Sequence, residues 1–312
     1  MTSYPGVAIM GATASGKSRV AIELARSFGG EIISMDSRQV YRGLDIGTAK
    51  VAEADRDRVA HHLIDVLDPD EANNAGRHVA RALDVAEGIA AAGGIPFFVG
   101  GTGFYFRVLF EGLIHVRIPE ADLEAIRGRL GDWATGALYA ELLRRDPERA
   151  GELSRNDRVR IMRALEIHDY TGKPHSRLIK EQKRRHPWCG LRIVLTLPRA
   201  RLRRRIADRT REMFESGWVE EVRGLLASGV RPDAPAMGSL GYAVIARAII
   251  AGGAPDACVD EVITQTQQYA KRQETFFRSV GGAHWVDVTA TEPVSVIAGL
   301  IRGNDDFKSH LT

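Results

Sequence analysis

The chain has 312 residues, of which 44% are apolar and 27% charged, a balance typical of globular proteins. This balance excludes a disordered chain and a collagen-like repeat, and no apolar run approaches the ~18 residues of a membrane span. The net charge is +3, but residues 114–215 hold 24 Lys and Arg against 15 Asp and Glu. This local excess fits either a polyanionic partner such as nucleic acid or a solvated arginine-rich surface.

The N-terminus and the cysteines carry no targeting or metal-site signal. Residues 1–5 contain no charged leader and no apolar segment, which predicts a cytoplasmic protein. Cys189 and Cys258 are too few for a disulfide framework and lack zinc-site spacing, so both are interpreted as ordinary core or surface cysteines.

The first predicted elements are a buried strand over residues 7–10 and a helix over 17–27, joined by a glycine-rich loop. The loop, GATASGKS, matches G-x-x-x-x-G-K-[ST] in the strand–loop–helix setting that this motif requires. Its N–H groups and the helix N-terminus favour a diphosphate or triphosphate, with Lys17 adding a charge and Ser18 placed to ligate Mg²⁺. The residues predicted to bind the phosphates are Gly11, Thr13, Ala14, Ser15, Gly16, Lys17 and Ser18.

A second predicted strand, over residues 31–35, ends directly before Asp36. Ligands of doubly wound sheets bind beyond the carboxyl ends of the strands, so we expect Asp36 to face the same crevice as the phosphate loop. There its carboxylate can accept a proton from a nucleophile, or it can cap a helix together with Ser37. Ser37, Arg38 and Gln39 can hydrogen-bond a base or a backbone phosphate.

Further elements complete the predicted sheet: a short strand over residues 63–66, a helix over 76–92 and a strand over 95–99. Thr102 lies in the glycine-rich turn after the last of these and offers a hydroxyl toward the crevice. His61 and His62 have no matching pair of ligands and are interpreted as structural. Apolar strands separated by helices predict an α/β fold with a parallel sheet covered by helices on both faces.

Helical periodicity then prevails over residues 115–189, and strands return at residues 191–197 and 284–288. The simplest account is a P-loop α/β core, residues 1–114 and 190–312, interrupted by a helical insertion that carries much of the basic charge. Arg155, Arg158, Arg160 and Arg163 stand in the insertion at roughly helical spacing and are candidates for phosphate contacts.

Taken together, these motifs resemble the bacterial type of the tRNA dimethylallyltransferase family over nearly the whole chain. The run from Asp36 to Lys50, followed at the expected distances by the glycine-rich turn and the YAKRQ segment, is the specific part of the resemblance. The matching stretches are GATASGKS (11–18), DSRQVYRGLDIGTAK (36–50), HHLID (61–65), GGTGFY (100–105), RALE (163–166), GYAVI (241–245) and YAKRQETFFR (269–278).

The resemblance implies transfer of a dimethylallyl group from dimethylallyl diphosphate to N6 of the adenosine that follows the anticodon of a tRNA, position 37. The phosphate loop would hold the donor's diphosphate with Mg²⁺, Asp36 would accept the N6 proton, and Thr102 would hydrogen-bond the adenine. Arg209 matches a family arginine on the diphosphate, and the insertion matches the domain that grips the anticodon stem-loop. The implied tRNA contacts are Asp36, Ser37, Arg38, Gln39, Thr102, Arg160 and Arg163.

Two aromatic residues and the assembly complete these expectations. Phe104 and Tyr105 can stack on a base or pack in the core, and packing is the favoured interpretation. A monomer without an obligate protein partner is expected.

Some positions depart from the family pattern. Ala12 and Ser18 stand where relatives often carry proline and threonine, and both keep the chemistry of the loop. Val159 takes the place of a glutamine before Arg160, and residues 120–124 lack the Asp-Pro-x-x-Arg pattern, so two RNA contacts of the relatives lose their usual side chains.

Three other functions use parts of the same pattern. A small-molecule kinase would bind ATP on the loop and use Asp36 toward a hydroxyl. A nucleotide-gated RNA-binding protein would bind RNA under the control of ATP without changing it covalently. An adenylate isopentenyltransferase would prenylate free AMP, ADP or ATP and would have little use for a basic insertion, which favours tRNA as the acceptor.

Overall fold

The computed structural model describes residues 4–112, 116–182 and 188–310, and in them six parallel strands form one sheet in the order β3-β2-β4-β1-β5-β6. This order confirms the predicted α/β class. The strands are β1 Tyr4–Gly11, β2 Glu31–Ser34, β3 His61–His62, β4 Pro96–Gly100, β5 Trp188–Thr196 and β6 Ala283–Asp287.

The chain divides into two compact units, Met1–Leu109 with Pro187–Thr312, and Phe110–His186. The sequence placed these boundaries at residues 114–115, outside the described ranges, and at residues 189–190. The first unit holds α1 Lys17–Ser27, α2 Glu53–Arg56, α3 Ala75–Ala91, α4 Gly103–Glu111 (which reaches into the second unit), α10 Arg199–Glu215, α11 Trp218–Ala227, α12 Tyr242–Ile250, α13 Val259–Phe277 and α14 Pro293–Gly303. The second unit, the insertion, holds α5 Glu120–Leu130, α6 Thr135–Arg145, α7 Pro147–Glu152, α8 Arg158–Thr171 and α9 His175–Gln182.

Alternation along the strands builds the core of the first unit. Val7 and Ile9 of β1 point to one face, where they pack with apolar residues of α1 and α14. Helices α3 and α13 also contact the sheet, outside this cluster. The carboxyl ends of β1, β2 and β4 therefore meet at one edge between helical layers, where the candidate site lies.

One predicted strand is wrong. Residues 63–66 do not extend β3, because Leu63 and Asp65 adopt φ angles of +62° and +56°. Such angles turn the chain out of extended geometry, and the segment bends back toward the loop after β2.

The insertion has its own apolar core, in which Ile126, Leu138, Leu142, Ile161 and Leu165 are buried. None of the helices in the described ranges is both long and apolar enough to cross a bilayer. Cys258 is half-buried, while the side chain of Cys189 lies outside the described part.

Candidate active site

The phosphate loop is shaped by two left-handed backbone conformations, one at a glycine and one at an alanine, which adopts it only at a steric cost. Gly16 and Ala14 have φ angles of +94° and +62°, which fold the chain tightly between β1 and α1. The Lys17 ammonium donates to the carbonyl of Ala12 at 2.8 Å. Ser15 is buried and its hydroxyl has no hydrogen-bond partner among the described atoms, whereas Ser18 is exposed.

Two cations share the crevice next to this loop. Burial, reinforced by the positive charge of Arg209, lowers the pKa of Lys17 to about 8, and the carboxylate of Asp36 acts in the opposite direction. Burial also lowers the pKa of Arg209, whose guanidinium hydrogen-bonds the Thr13 hydroxyl. Bringing two half-buried cations together costs free energy that a bound anion recovers, so the crevice is suited to a diphosphate.

Asp36 stands beyond the end of β2, as the sheet rule predicts, and is half-buried. One of its carboxylate oxygens, Oδ1, accepts hydrogen bonds from the N–H groups of Arg38 at 2.8 Å and Gln39 at 3.4 Å. The other oxygen accepts none from the described residues. The carboxylate therefore holds its own turn with one oxygen and keeps the other available for a proton.

Thr102 joins the loops after β2 and β4. Its Oγ1 accepts a hydrogen bond from the N–H of Ser37 at 3.0 Å. Gly100, at the end of β4, lies so close to β2 that a Cβ there would stand 2.2 Å from the carbonyl oxygen of Met35. This close approach places Thr102 beside the turn that holds Asp36.

Gln273 and Tyr269 complete the site, although the sequence motifs predict no role for either residue. Gln273 is 5% exposed; its Oε1 accepts from the N–H of Thr13 and its Nε2 donates to the carbonyl of Gly101, both at 2.8 Å. Its side chain thus ties the phosphate loop to the turn that carries Thr102. Burial raises the pKa of Tyr269 to about 12. The only sequence signal was the YAKRQ motif, which the resemblance matched without a function.

These groups surround a cavity of about 710 Å³, including the open solvent at its mouth. Seven predicted site residues line the cavity together with Tyr269 and Gln273: Thr13, Ala14, Lys17, Ser18, Asp36, Gln39 and Arg209. The same cavity has an apolar wall of Ile32, Val51, Ile64 and Val99. A ligand with an anionic end and a short apolar part matches this lining.

Other predicted residues do not line the cavity. Gly11, Ser15, Gly16, Ser37, Arg38 and Thr102 are not among the lining residues. Arg38 instead donates from Nη1 to the carbonyl of Pro235 at 3.0 Å. Tyr105 is buried and stacks on His78 at a centroid distance of 4.4 Å, so packing is confirmed for Tyr105. Packing is wrong for Phe104, which is 51% exposed.

A network around the buried Lys50 side chain holds the loop between Asp36 and Lys50 in shape. The side chain of Lys50 is 2% exposed and its ammonium contacts carboxylates of Asp45 and Asp65, both at 2.5 Å. Glu221 accepts hydrogen bonds from the backbone N–H groups of Asp45 and Ile46 at 2.9 and 2.8 Å. Helix α11 and the loop around Asp65 therefore fix this segment, whose residues Gln39, Thr48 and Ala49 line the cavity.

The predicted tRNA contacts of the insertion lie on α8. Arg160 is exposed and pairs with Asp157 at 3.3 Å. Arg163 pairs with Glu166 at 3.2 Å and donates to the carbonyl of Val116 at 3.1 Å. Both guanidinium groups thus have partners within the insertion.

His61 and His62 form hydrogen bonds with the Val59 carbonyl and the Glu31 carboxylate, respectively.

Among the described residues, no group of three or more His, Cys, Asp or Glu could hold a metal. The exposed Ser18 hydroxyl lies beside Lys17 on the cavity wall, and Asp36 lines the same cavity. This sparse set of oxygen donors fits Mg²⁺, which keeps several waters and takes its other ligands largely from substrate phosphates.

Comparison with protein families gives two matches. The family described as IPP transferase matches residues 39–280, and the family described as isopentenyl transferase matches residues 6–65.

Curated relatives match along nearly the whole chain. A tRNA dimethylallyltransferase of Syntrophobacter fumaroxidans is 40% identical over 97% of this chain and 89% of its own length. That of Geobacter sulfurreducens is 42% identical over 94% of this chain and 95% of its own.

Solved structures agree with these relatives. The full-length tRNA isopentenylpyrophosphate transferase of Bacillus halodurans superposes with a TM-score of 0.71 at 32% identity, over 98% of this chain and 97% of the other. A eukaryotic dimethylallyltransferase acting on tRNA superposes with a TM-score of 0.81 at 26% identity, over 97% and 79%.

Proposed function

The chain belongs to the IPP transferase family, and from this membership we propose that it transfers a dimethylallyl group from dimethylallyl diphosphate to N6 of adenosine 37 in tRNA. The products are N6-(dimethylallyl)adenosine in the tRNA and diphosphate. We further propose that a single copy of the chain performs the reaction.

One observation of the structure carries this proposal beyond the family match. The cavity that holds Lys17 and Arg209 also has the apolar wall of Ile32, Val51 and Val99. An allylic diphosphate needs both surfaces, whereas a nucleotide triphosphate would set a polar ribose and base next to aliphatic side chains. The lining therefore favours the prenyl donor over ATP on the phosphate loop.

The cations act on the leaving group. As the bond between C1 of the prenyl group and the diphosphate oxygen breaks, negative charge grows on the diphosphate. Lys17 and Arg209 already line the cavity beside that position, so their charges stabilise the product side without reorganisation. The Ser18 hydroxyl would hold Mg²⁺, which would supply further positive charge to the leaving group.

Asp36 and Thr102 act on the adenine. The lone pair of N6 forms the new bond to C1, and the N6 proton passes to the free carboxylate oxygen of Asp36. Thr102, beside the Asp36 turn, hydrogen-bonds the adenine and orients N6. Water is kept from the allylic carbon because the apolar wall surrounds the prenyl group.

The insertion binds the acceptor in this proposal. Arg160 and Arg163 exchange carboxylate partners for phosphates of the anticodon stem-loop, while Ser37, Arg38 and Gln39 contact nucleotides next to the target. The adenosine leaves its loop stack to reach the cavity, which costs a few kcal/mol in a single-stranded loop.

A mass measurement tests the function. The protein is incubated with Mg²⁺, dimethylallyl diphosphate and an anticodon stem-loop that carries adenosine after the anticodon; a stem-loop with guanosine there is the matched control. We expect a gain of one dimethylallyl group on the adenosine stem-loop and none on the control.

Parallel reactions separate the rival functions. A prenyl gain on AMP in place of the stem-loop would make the protein an adenylate isopentenyltransferase. Phosphate transfer from ATP to a nucleoside without any prenyl product would make it a kinase. RNA binding controlled by ATP without a covalent product would make it a nucleotide-gated RNA-binding protein.

A further inference from the structure

The basic charge of the middle of the chain is divided unequally between the two units. Residues 114–186 contain 16 Lys and Arg against 12 Asp and Glu, whereas residues 187–215 contain eight against three. More than half of the excess therefore belongs to the first unit, where α10 carries most of it. The insertion still carries much of the basic charge, 16 of these 24 Lys and Arg, but its own 12 Asp and Glu balance most of it.

The arginines of the insertion and those of α10 also differ in whether they form ion pairs. Eight arginines of the insertion's described residues form ion pairs with its own carboxylates: Arg127, Arg129, Arg144, Arg145, Arg149, Arg160, Arg163 and Arg177. On α10, Arg199, Arg201 and Arg205 are exposed and have no ion pair within the described part of the chain. Arg204 is 86% exposed, and its Nε lies 3.8 Å from Oδ2 of Asp208, which makes a long and solvent-exposed ion pair.

The positive charge of these arginines lowers the stability of α10. The first turn of α10 contains no acidic residue, although the positive end of a helix dipole favours carboxylates. The carboxylate of Asp287 lies near Arg201, but the pKa of Asp287 is lowered first by hydrogen bonds from Thr289 and least by Arg201. Such unpaired positive charge at a helix N-terminus is destabilising unless an anion covers it.

Geometry connects this surface to the site. Arg201 stands three and four residues before Arg204 and Arg205, a spacing that sets all three side chains on one face of the helix. Arg205 precedes Arg209 by four residues, a rise of about 6 Å along the helix. Because Arg209 contacts the phosphate loop through Thr13, the basic face begins about one helical turn from the cavity.

We propose that Arg201, Arg204 and Arg205 form a second RNA-binding surface, on the first unit, that engages backbone phosphates of the substrate RNA. The inference rests on the proposed function, because the substrate must reach the cavity next to this face. A lipid surface fits less well, since the apolar side of α10, including Leu202 and Ile206, is buried in the core and no apolar face is left to insert.

The test compares three full-length variants with the wild-type protein. R201Q/R204Q/R205Q removes the charges, and R201K/R204K/R205K keeps them on another side chain. R26Q/R223Q/R302Q removes three exposed arginines elsewhere on the same unit and is the matched control. Fluorescence anisotropy measures the Kd for a labelled tRNA transcript between 50 and 300 mM KCl.

For the glutamine variant we expect a Kd at least about tenfold higher at 100 mM KCl and a slope of log Kd against log salt that is lower by about two. The lysine variant and the control should keep the wild-type slope, and melting temperatures report folding. Equal slopes for the glutamine variant and the control would overturn the proposal. Loss of binding to phosphatidylserine vesicles, with RNA binding unchanged, would overturn it in favour of a lipid surface.

The prenyl-transfer assay keeps the two claims apart. Wild-type prenylation of the stem-loop with an unchanged slope in the glutamine variant would reject only the α10 surface. Absence of prenylation by the wild-type protein would reject the proposed function itself.

Discussion

At the scale of single residues, Asp36 carries two tasks on two oxygens. Oδ1 holds the turn through the N–H groups of Arg38 and Gln39, and the other oxygen is placed to accept the N6 proton. An asparagine can keep the first task, because its amide oxygen still accepts both bonds, but it cannot act as a base.

We therefore predict that D36N lowers kcat by ~10²–10⁴-fold with little change in melting temperature, whereas D36A also loses about 1 kcal/mol of stability with the turn. Single-turnover prenyl transfer and thermal unfolding of both variants are the measurements. If D36N retained more than a tenth of the wild-type rate, the proton would have to leave through another group.

The residues of the site differ in how far the sequence could predict them. The loop from Gly11 to Ser18 and the position of Asp36 follow from local motifs and from the rule that parallel strands end at one edge. Gln273 could not be placed in this way, because its partners Thr13 and Gly101 are 260 and 172 residues away in the chain. A side chain that acts as a long-range tie has no local pattern.

At the scale of elements, the loop that follows Asp36 is held by contacts that leave no room for substitution. The N–H of Gly47 donates to the hydroxyl of Tyr242 at 3.1 Å. A Cβ on Gly47 would stand 2.1 Å from Nε1 of Trp218, inside the buried cluster that α11 and α12 form.

G47A should therefore destabilise the protein by about 1–3 kcal/mol and raise the KM for the stem-loop, because the strain spreads along the loop to Gln39. Gly128, in the exposed interior of α5 with nothing within 4 Å of its Cβ position, is the matched control. There the alanine should stabilise by about 0.5–1 kcal/mol. Urea unfolding measures both, and equal effects at the two glycines would contradict the packing argument.

The loop between Asp36 and Lys50 also explains why residues 63–66 do not form the predicted strand. Leu63, Ile64 and Val66 form an apolar pattern that is typical of a strand, and the sequence offers no local signal against it. The structure turns this segment because Asp65 pairs with the buried ammonium of Lys50, across 15 residues. A long-range ion pair overrides the local preference.

At the scale of the whole molecule, the insertion contains a buried histidine whose charge opposes folding. His175 is 8% exposed and lies beside Asp146, which caps α7 and accepts two hydrogen bonds from Ser176. Burial, followed by the positive charge of Arg149, lowers the pKa of His175 to about 4, and Asp146 only partly opposes this. The first unit has its own histidines with lowered pKa values, His61 and His78.

The sign of the pH dependence follows from this shift. Between pH 6.5 and pH 4 the unfolded chain binds a proton at His175 that the folded chain does not, so stability falls as the pH falls through this window. With a folded pKa of about 4, the loss from this residue is about 2 kcal/mol at pH 5. We predict that hydrogen exchange of α8 amides, corrected for the intrinsic rate, shows this loss between pH 7 and pH 5 in the wild-type protein and not in H175L. Helix α1 of the first unit is the internal control and should respond equally in both proteins; an α8 that weakens as much in H175L would assign the acid sensitivity to other groups.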